Sequence, residues 1–180
     1  MAVLVLLPGL LWAKDFEIRP LQIRLQDEVY VLDAIAHYRL NGTVLEALEH
    51  GVPLTMVLRL QVLRKGAWFW EQDEVDVHYY RVLSFHALTG LYEVFDQQQG
   101  RSQSFVTRDL AISAMGDFQG LPVMSVRQVE EGVSYLLELH AQLDIESLPL
   151  TLRPQAYLTK DWNLSSDWSI SPLFSSESPP

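Results

Sequence analysis

Two rows of alternating apolar side chains restrict the possible folds of this chain more than any other feature. Leu54, Met56, Leu58, Leu60 and Val62 alternate with Thr55, Val57, Arg59, Gln61 and Leu63. Val133, Tyr135, Leu137, Leu139, Ala141, Leu143 and Ile145 do the same against Ser134, Glu138, His140, Gln142 and Asp144. Successive side chains of a strand point to opposite faces, so each row marks a strand with one dry face and one wetter face. Strands of that kind belong to antiparallel sheets, whereas a parallel sheet buried on both sides reads as continuous Val, Ile and Leu. Two such rows satisfy each other when their sheets face one another. The expected fold is therefore mainly β: an antiparallel two-sheet β-sandwich, immunoglobulin-like in general architecture, with two short helices.

The stretch from Glu28 to Leu40 repeats the pattern, with Tyr30, Leu32, Ala34, Ala36, Tyr38 and Leu40 on one side, and the small alanines leave room for another element to come close. Shorter strands are expected at Ile18 to Leu25, Val75 to Ala87, Leu91 to Asp96, Ser102 to Val106 and Val123 to Val129, separated by turn signals such as Lys65-Gly66, Thr89-Gly90 and Gln99-Gly100. Around Tyr79-Tyr80 the in-out phase breaks down, which predicts a bulge. One helix is expected after Thr43, with Thr43 and Glu46 as a capping box and Gly51-Pro53 as the stop; a second is expected from Thr107 to Gly116. Pro149, Pro154 and Pro172 exclude long central strands in the last third, which should wrap the body and anchor through Trp162, Leu164 and Trp168.

The chain has 180 residues, 48% of them hydrophobic and 20% charged, which suits one folded domain. Its net charge of −10 argues against nucleic acid, because phosphate binding draws on clustered Lys and Arg. Residues 1–13, MAVLVLLPGLLWA, form an apolar run too short to span a bilayer as a helix. The run fits the hydrophobic stretch of a secretory signal peptide closing at Ala13, although no Lys or Arg precedes it and Leu11 stands where a small residue is usual. A buried N-terminal strand is the other reading, disfavoured by Pro8 and Gly9. The expected organisation is a leader at 1–13, one sandwich domain at 14–173 without a transmembrane span, and a disordered tail at 174–180. Export to a periplasm follows from the leader, and the lack of cysteine agrees with it.

Several stretches resemble a known family. HGVPLTMVLRLQVL at 50–63, WFWE at 68–71, YRVLSFHAL at 80–88 and LDIESLPLTLRPQAYLTKDWNLSSDW at 143–168 are similar to an uncharacterised family of exported proteobacterial proteins, domain of unknown function 4390. The similarity runs from about Phe16 to Leu173, and its most specific part is the Leu-Pro-x-x-Leu-Arg-Pro run followed by Tyr-Leu and two spaced Trp residues. The resemblance implies secretion and no assigned activity, and it hints at envelope signalling. Ser169-Ile170-Ser171 departs from a more aromatic stretch at that point in the family.

Motifs for chemistry are missing. No histidine pair has HExxH spacing, cysteine-based zinc sites are impossible, and there is neither a GxSxG elbow nor a glycine-rich phosphate loop. Glu71, Asp73, Glu74 and Asp76 read as a solvated acidic loop, and His78, His86 and Asp76 are one combination a fold could assemble. No enzyme, metal or cofactor is expected. The leading expectation is a non-enzymatic protein that binds an envelope protein through sheet edges or through the surface of Trp68, Phe69, Trp70 and Glu71, since aromatic side chains concentrate in binding hot spots. The alternative is a small-ligand pocket between the sheets, lined by Tyr30, Tyr38, Tyr135 and Tyr157.

Overall fold

The computed structural model describes residues 15–65 and 73–174. Among the described residues, nine strands form two antiparallel sheets. β1 (Phe16–Gln26), β2 (Val29–Tyr38) and β7 (Asp117–Ser125) make a three-stranded sheet in the order β1-β2-β7. β3 (Leu54–Arg64), β4 (Asp73–His86), β5 (Leu91–Asp96), β6 (Arg101–Phe105), β8 (Tyr135–Leu143) and β9 (Ser169–Pro172) make a six-stranded sheet in the order β6-β5-β4-β3-β8-β9. β1 and β2 start the small sheet, the chain crosses to the large one, β7 returns beside β2, and β8 crosses back beside β3. That alternation is the strand order of immunoglobulin-type sandwiches. The departure is β6, which joins β5 and leaves the small sheet without a fourth strand.

Both alternating rows face inward, the second over Tyr135–Leu143, with Val133 and Ile145 half-buried beyond the ends of the strand. Leu54, Met56, Leu58, Leu60 and Val62 are at most 1% exposed, and Leu137, Leu139 and Ala141 are fully covered. They share one core with Leu32, Ala34, Phe118 and Leu121 of the small sheet. The expected wet face of β3 is not wet: Thr55, Val57 and Gln61 are also buried. β3 lies between β4 and β8, so its outward side chains are flanked on both sides by cross-strand neighbours.

Tyr135 opens β8 and its hydroxyl reaches back over the preceding connection. The Glu130 N–H donates to it at 3.2 Å, and it donates to the Gln128 carbonyl at 3.4 Å. A tyrosine at the start of this strand, bonded to backbone a few residues upstream, is the tyrosine corner of such sandwiches.

The small residues of β2 serve a close approach. α2 (Arg108–Gly116) packs on β2, and a Cβ at Gly116 would stand 1.9 Å from the Ala36 carbonyl oxygen. Thr107 caps α2, as expected, by accepting from the Leu110 N–H. Arg81 of β4 then locks the junction. Its side chain donates to the carbonyls of Ala114, Met115 and Asp117 and to the Asp96 carboxylate, and it lies 4.1 Å from the Phe118 ring centre. A cation among the last carbonyls of a helix is favoured by the helix dipole.

Other local expectations need correction. Asn41, not Thr43, caps α1 (Gly42–Glu49): its side chain accepts from the Val44 N–H, while Thr43 donates to Asp161. Tyr79-Tyr80 carries no bulge; Tyr79 points in and donates to the Pro122 carbonyl at 2.9 Å, Tyr80 points out, and the register shift falls instead between Val62 and Leu63. Burial pushes the Tyr79 phenol up to about 12. β7 begins six residues before Val123, because Pro122 sits where β7 has no further strand beside it. A third short helix, α3 (Arg153–Leu158), carries Pro154 in its first turn, where a missing N–H costs nothing. Phe174 is not part of a loose tail, since it packs against Tyr30 with ring centres 4.8 Å apart.

Candidate functional site

Along one side of the sandwich, residues 20–25 of the edge strand β1 face the start of β8 and the end of β9 across a cleft of about 900 Å³. The β1 wall supplies Leu21, Ile23 and Leu25, while Val129 and Val133 come from the connection between β7 and β8. Tyr30, Tyr135 and Phe174 meet there as a ring cluster, Tyr135 and Phe174 edge to face at 6.2 Å. Leu21 and Leu25 remain 60% and 57% exposed, so the cleft is open along an apolar rim. Charge reaches the cleft as well, through Arg24, Lys65, Glu130 and Glu131 among its lining residues. Arg64 pairs with Glu130 and Glu74, and the Arg64 guanidinium holds the Glu130 carboxyl below the usual carboxylate range.

Of the four expected pocket tyrosines, the fold therefore assembles two. Tyr30 and Tyr135 line the cleft. Tyr38 lies at the far end of β2, buried edge to face against Phe16 at 4.8 Å. Its hydroxyl has no partner among the described residues, and burial pushes its pKa well up. Tyr157 is 59% exposed on α3 and is not among the residues that line the cleft. The Tyr38 misplacement comes from distance along the strand: eight residues of β2 span roughly 26 Å at about 3.3 Å each, so Tyr30 and Tyr38 share a face but not an end. Trp68, Phe69, Trp70 and Glu71 lie outside the described residues; Lys65, just before them, lines the cleft.

A second feature escaped the sequence reading altogether. On the outer face of the large sheet, Arg59 of β3 stands between His78 of β4 and His140 of β8. Asp76 takes Arg59 in a two-pronged pair at 2.9 and 2.6 Å, which keeps its carboxyl below the ordinary range. Trp168 stacks on His140 with ring centres 4.8 Å apart and planes 25° apart, and the Arg59 guanidinium lies 5.7 Å from the Trp168 ring centre. His78 stacks on Tyr80 in turn. Partial burial, with Arg59 beside it, lowers the His140 pKa. The available signal was the register: once β3, β4 and β8 are aligned, residues 59, 78 and 140 fall in one row.

A family model described as a domain of unknown function (DUF4390) matches residues 13–171. The chain belongs to the DUF4390 family. No curated protein and no solved structure matches it. The match runs through both sheets, so the cleft and the outer row are features of the DUF4390 domain in this chain.

The remaining titratable groups of the DUF4390 domain are scattered. His78 and His86 are not brought together: they share a face of β4 roughly 26 Å apart by strand rise, and His86 pairs instead with Glu93 at 2.9 Å. Glu74 and Asp76 belong to β4 rather than to a solvated loop, each paired with an arginine. Among the described residues no three His, Asp or Glu side chains converge as metal ligands. None of their helices is long and apolar enough to cross a membrane.

Proposed function

We propose that this chain is an exported, non-enzymatic protein of the bacterial envelope that captures an extended apolar segment of a partner protein in the cleft beside β1. The cleft itself supports the reading: a half-open groove in which three aromatic rings pack together, with an apolar rim formed by Leu21 and Leu25. A rim that leaves two leucines mostly in water gains from being covered, at roughly 25 cal/mol for each Å² of apolar surface removed from solvent. Export is supported by the apolar run at residues 1–13 and by the absence of cysteine.

The test places a photoreactive residue at position 25 and, as a control, at position 88, where Leu88 is fully exposed in the turn between β4 and β5. Crosslinking in intact cells should give a discrete adduct from position 25 only. Equal labelling at both positions would refute the cleft as the docking site. Sequencing the N-terminus of the chain from a periplasmic fraction should find it beginning at Lys14; a cytoplasmic, uncleaved chain would refute export.

One observation favours a second reading. The cleft volume falls in the range of small-molecule pockets, and two of the expected tyrosines line it. Native mass spectrometry of the freshly purified chain decides between them: a bound small apolar compound that is lost in Leu25→Glu supports a ligand pocket.

A further inference from the structure

We propose that the outer face of the six-stranded sheet carries a saccharide-binding platform centred on Trp168. The indole lies on the sheet rather than in it. Its underside rests on His140 and Arg59, which are cross-strand partners projecting from the same face, and 38% of the residue remains exposed. A ring supported from below in this way offers its other face to solvent.

The platform is fixed before anything binds. The Ser166 N–H donates to the Ala141 carbonyl at 2.8 Å, the Ala141 N–H donates to Ser166 Oγ at 3.0 Å, and that hydroxyl donates to the Asp167 carbonyl at 2.7 Å. The Leu143 N–H donates to the Leu164 carbonyl, and Trp162 and Leu164 are buried. Trp168 therefore hangs from a segment stitched to β8, and little conformational entropy is left to lose on binding.

What surrounds the ring selects the ligand class. A pyranose ring has an apolar face of C–H bonds and hydroxyls projecting around its edge. It matches a flat aromatic plane bordered by hydrogen-bonding groups, here Arg59, Asp76 and the half-exposed His78. A polyanion does not match, because Arg59 is already neutralised by Asp76 and the chain carries a net charge of −10. A protein hot spot would call for a pocket that excludes water, whereas Trp168 stays 38% exposed on the sheet.

The test titrates the full isotope-labelled chain with chitotetraose, cellotetraose and maltotetraose and follows the Trp168 indole N–H and the Arg59 side chain by NMR. At least one saccharide should give saturable shifts at both. Trp168→Ala should weaken binding about tenfold or more, Trp168→Phe less, with an unchanged circular dichroism spectrum. His140→Gln, which loosens the support under the ring, should weaken binding while leaving the indole in place. Leu25→Glu in the cleft should leave saccharide binding untouched. No saturable shift at Trp168 with any of the three saccharides overturns the proposal. So do shifts that survive Trp168→Ala, or a loss of binding that accompanies unfolding in both Trp168→Ala and His140→Gln.

Discussion

Removing a single oxygen from Tyr135 tests whether the sandwich depends on its tyrosine corner. Tyr135→Phe keeps the buried ring and its edge-to-face contact with Phe174. It deletes the hydroxyl that accepts from the Glu130 N–H and donates to the Gln128 carbonyl. Each such bond contributes about 0.5–1.5 kcal/mol net, and a backbone group left without a partner adds to the loss. The bond to Gln128 is long, at 3.4 Å, so the two together are worth about 1–2 kcal/mol. In a chain of this size that corresponds to a fall in Tm of roughly 2–8 °C. Urea unfolding followed by circular dichroism should show a lower midpoint with an unchanged slope, because the surface exposed on unfolding is the same. Tyr157→Phe, on the exposed ring, should change nothing. A Tyr135→Phe midpoint indistinguishable from that of the parent would refute the view that the hydroxyl anchors the crossing between the sheets.

Other perturbations have expected outcomes. Arg81→Ala removes the cation that pairs with Asp96 and one donor from each of the Ala114, Met115 and Asp117 carbonyls in a nearly closed site, and should cost about 3–5 kcal/mol, measured by urea unfolding. Gly116→Ala forces a methyl group into the Ala36 carbonyl and should cost about 3 kcal/mol or more, whereas Gly42→Ala, with open space around it, should cost under about 1 kcal/mol; thermal melts compare them. Asp33 accepts from the Gly120 N–H and pairs with Arg24, which depresses its pKa in the folded state. Its contribution is complete above about pH 4 and is lost as pH falls through the lowered value, so Asp33→Asn should flatten the acid limb of a stability-pH curve. His140 is also lowered, but as a base. Its neutral form is preferred by the fold, so stability falls as pH drops below about 6.5 and stops falling at the lowered pKa; His140→Gln should remove that step.

The architecture was legible in the sequence because alternation at residues 54–62 and 135–143 reports a face, and a face is all that an antiparallel sandwich asks of each strand. Edges and ends were harder to read. The strand expected from Val123 instead begins at Asp117, and β7 passes Gly120 and Pro122 by shifting register against β2 on either side of them. Arg81 stood in plain view among Val75, Val77, Tyr79 and Leu83, a cation in an inward apolar row. Only the structure shows that the carbonyls ending α2 come round to meet it. The cleft was half legible, since Tyr30 and Tyr135 could be placed on inward faces but their positions along the sandwich could not. The Trp168 row depends on register between strands distant in sequence, which no local pattern encodes.

The way β7 joins the small sheet also bears on how the chain must be made. β2 finds its second neighbour only when Val29 meets Ser125, and β3 is enclosed only when Arg64 meets Tyr135. Both pairings close very long loops before any contact rewards them, so folding should be slow and should wait for the last third of the chain. A chain halted before β8 would hold a hairpin and a meander with their oily faces bare. A protein that stays unfolded until its end emerges is suited to being threaded through a narrow channel first and folded afterwards.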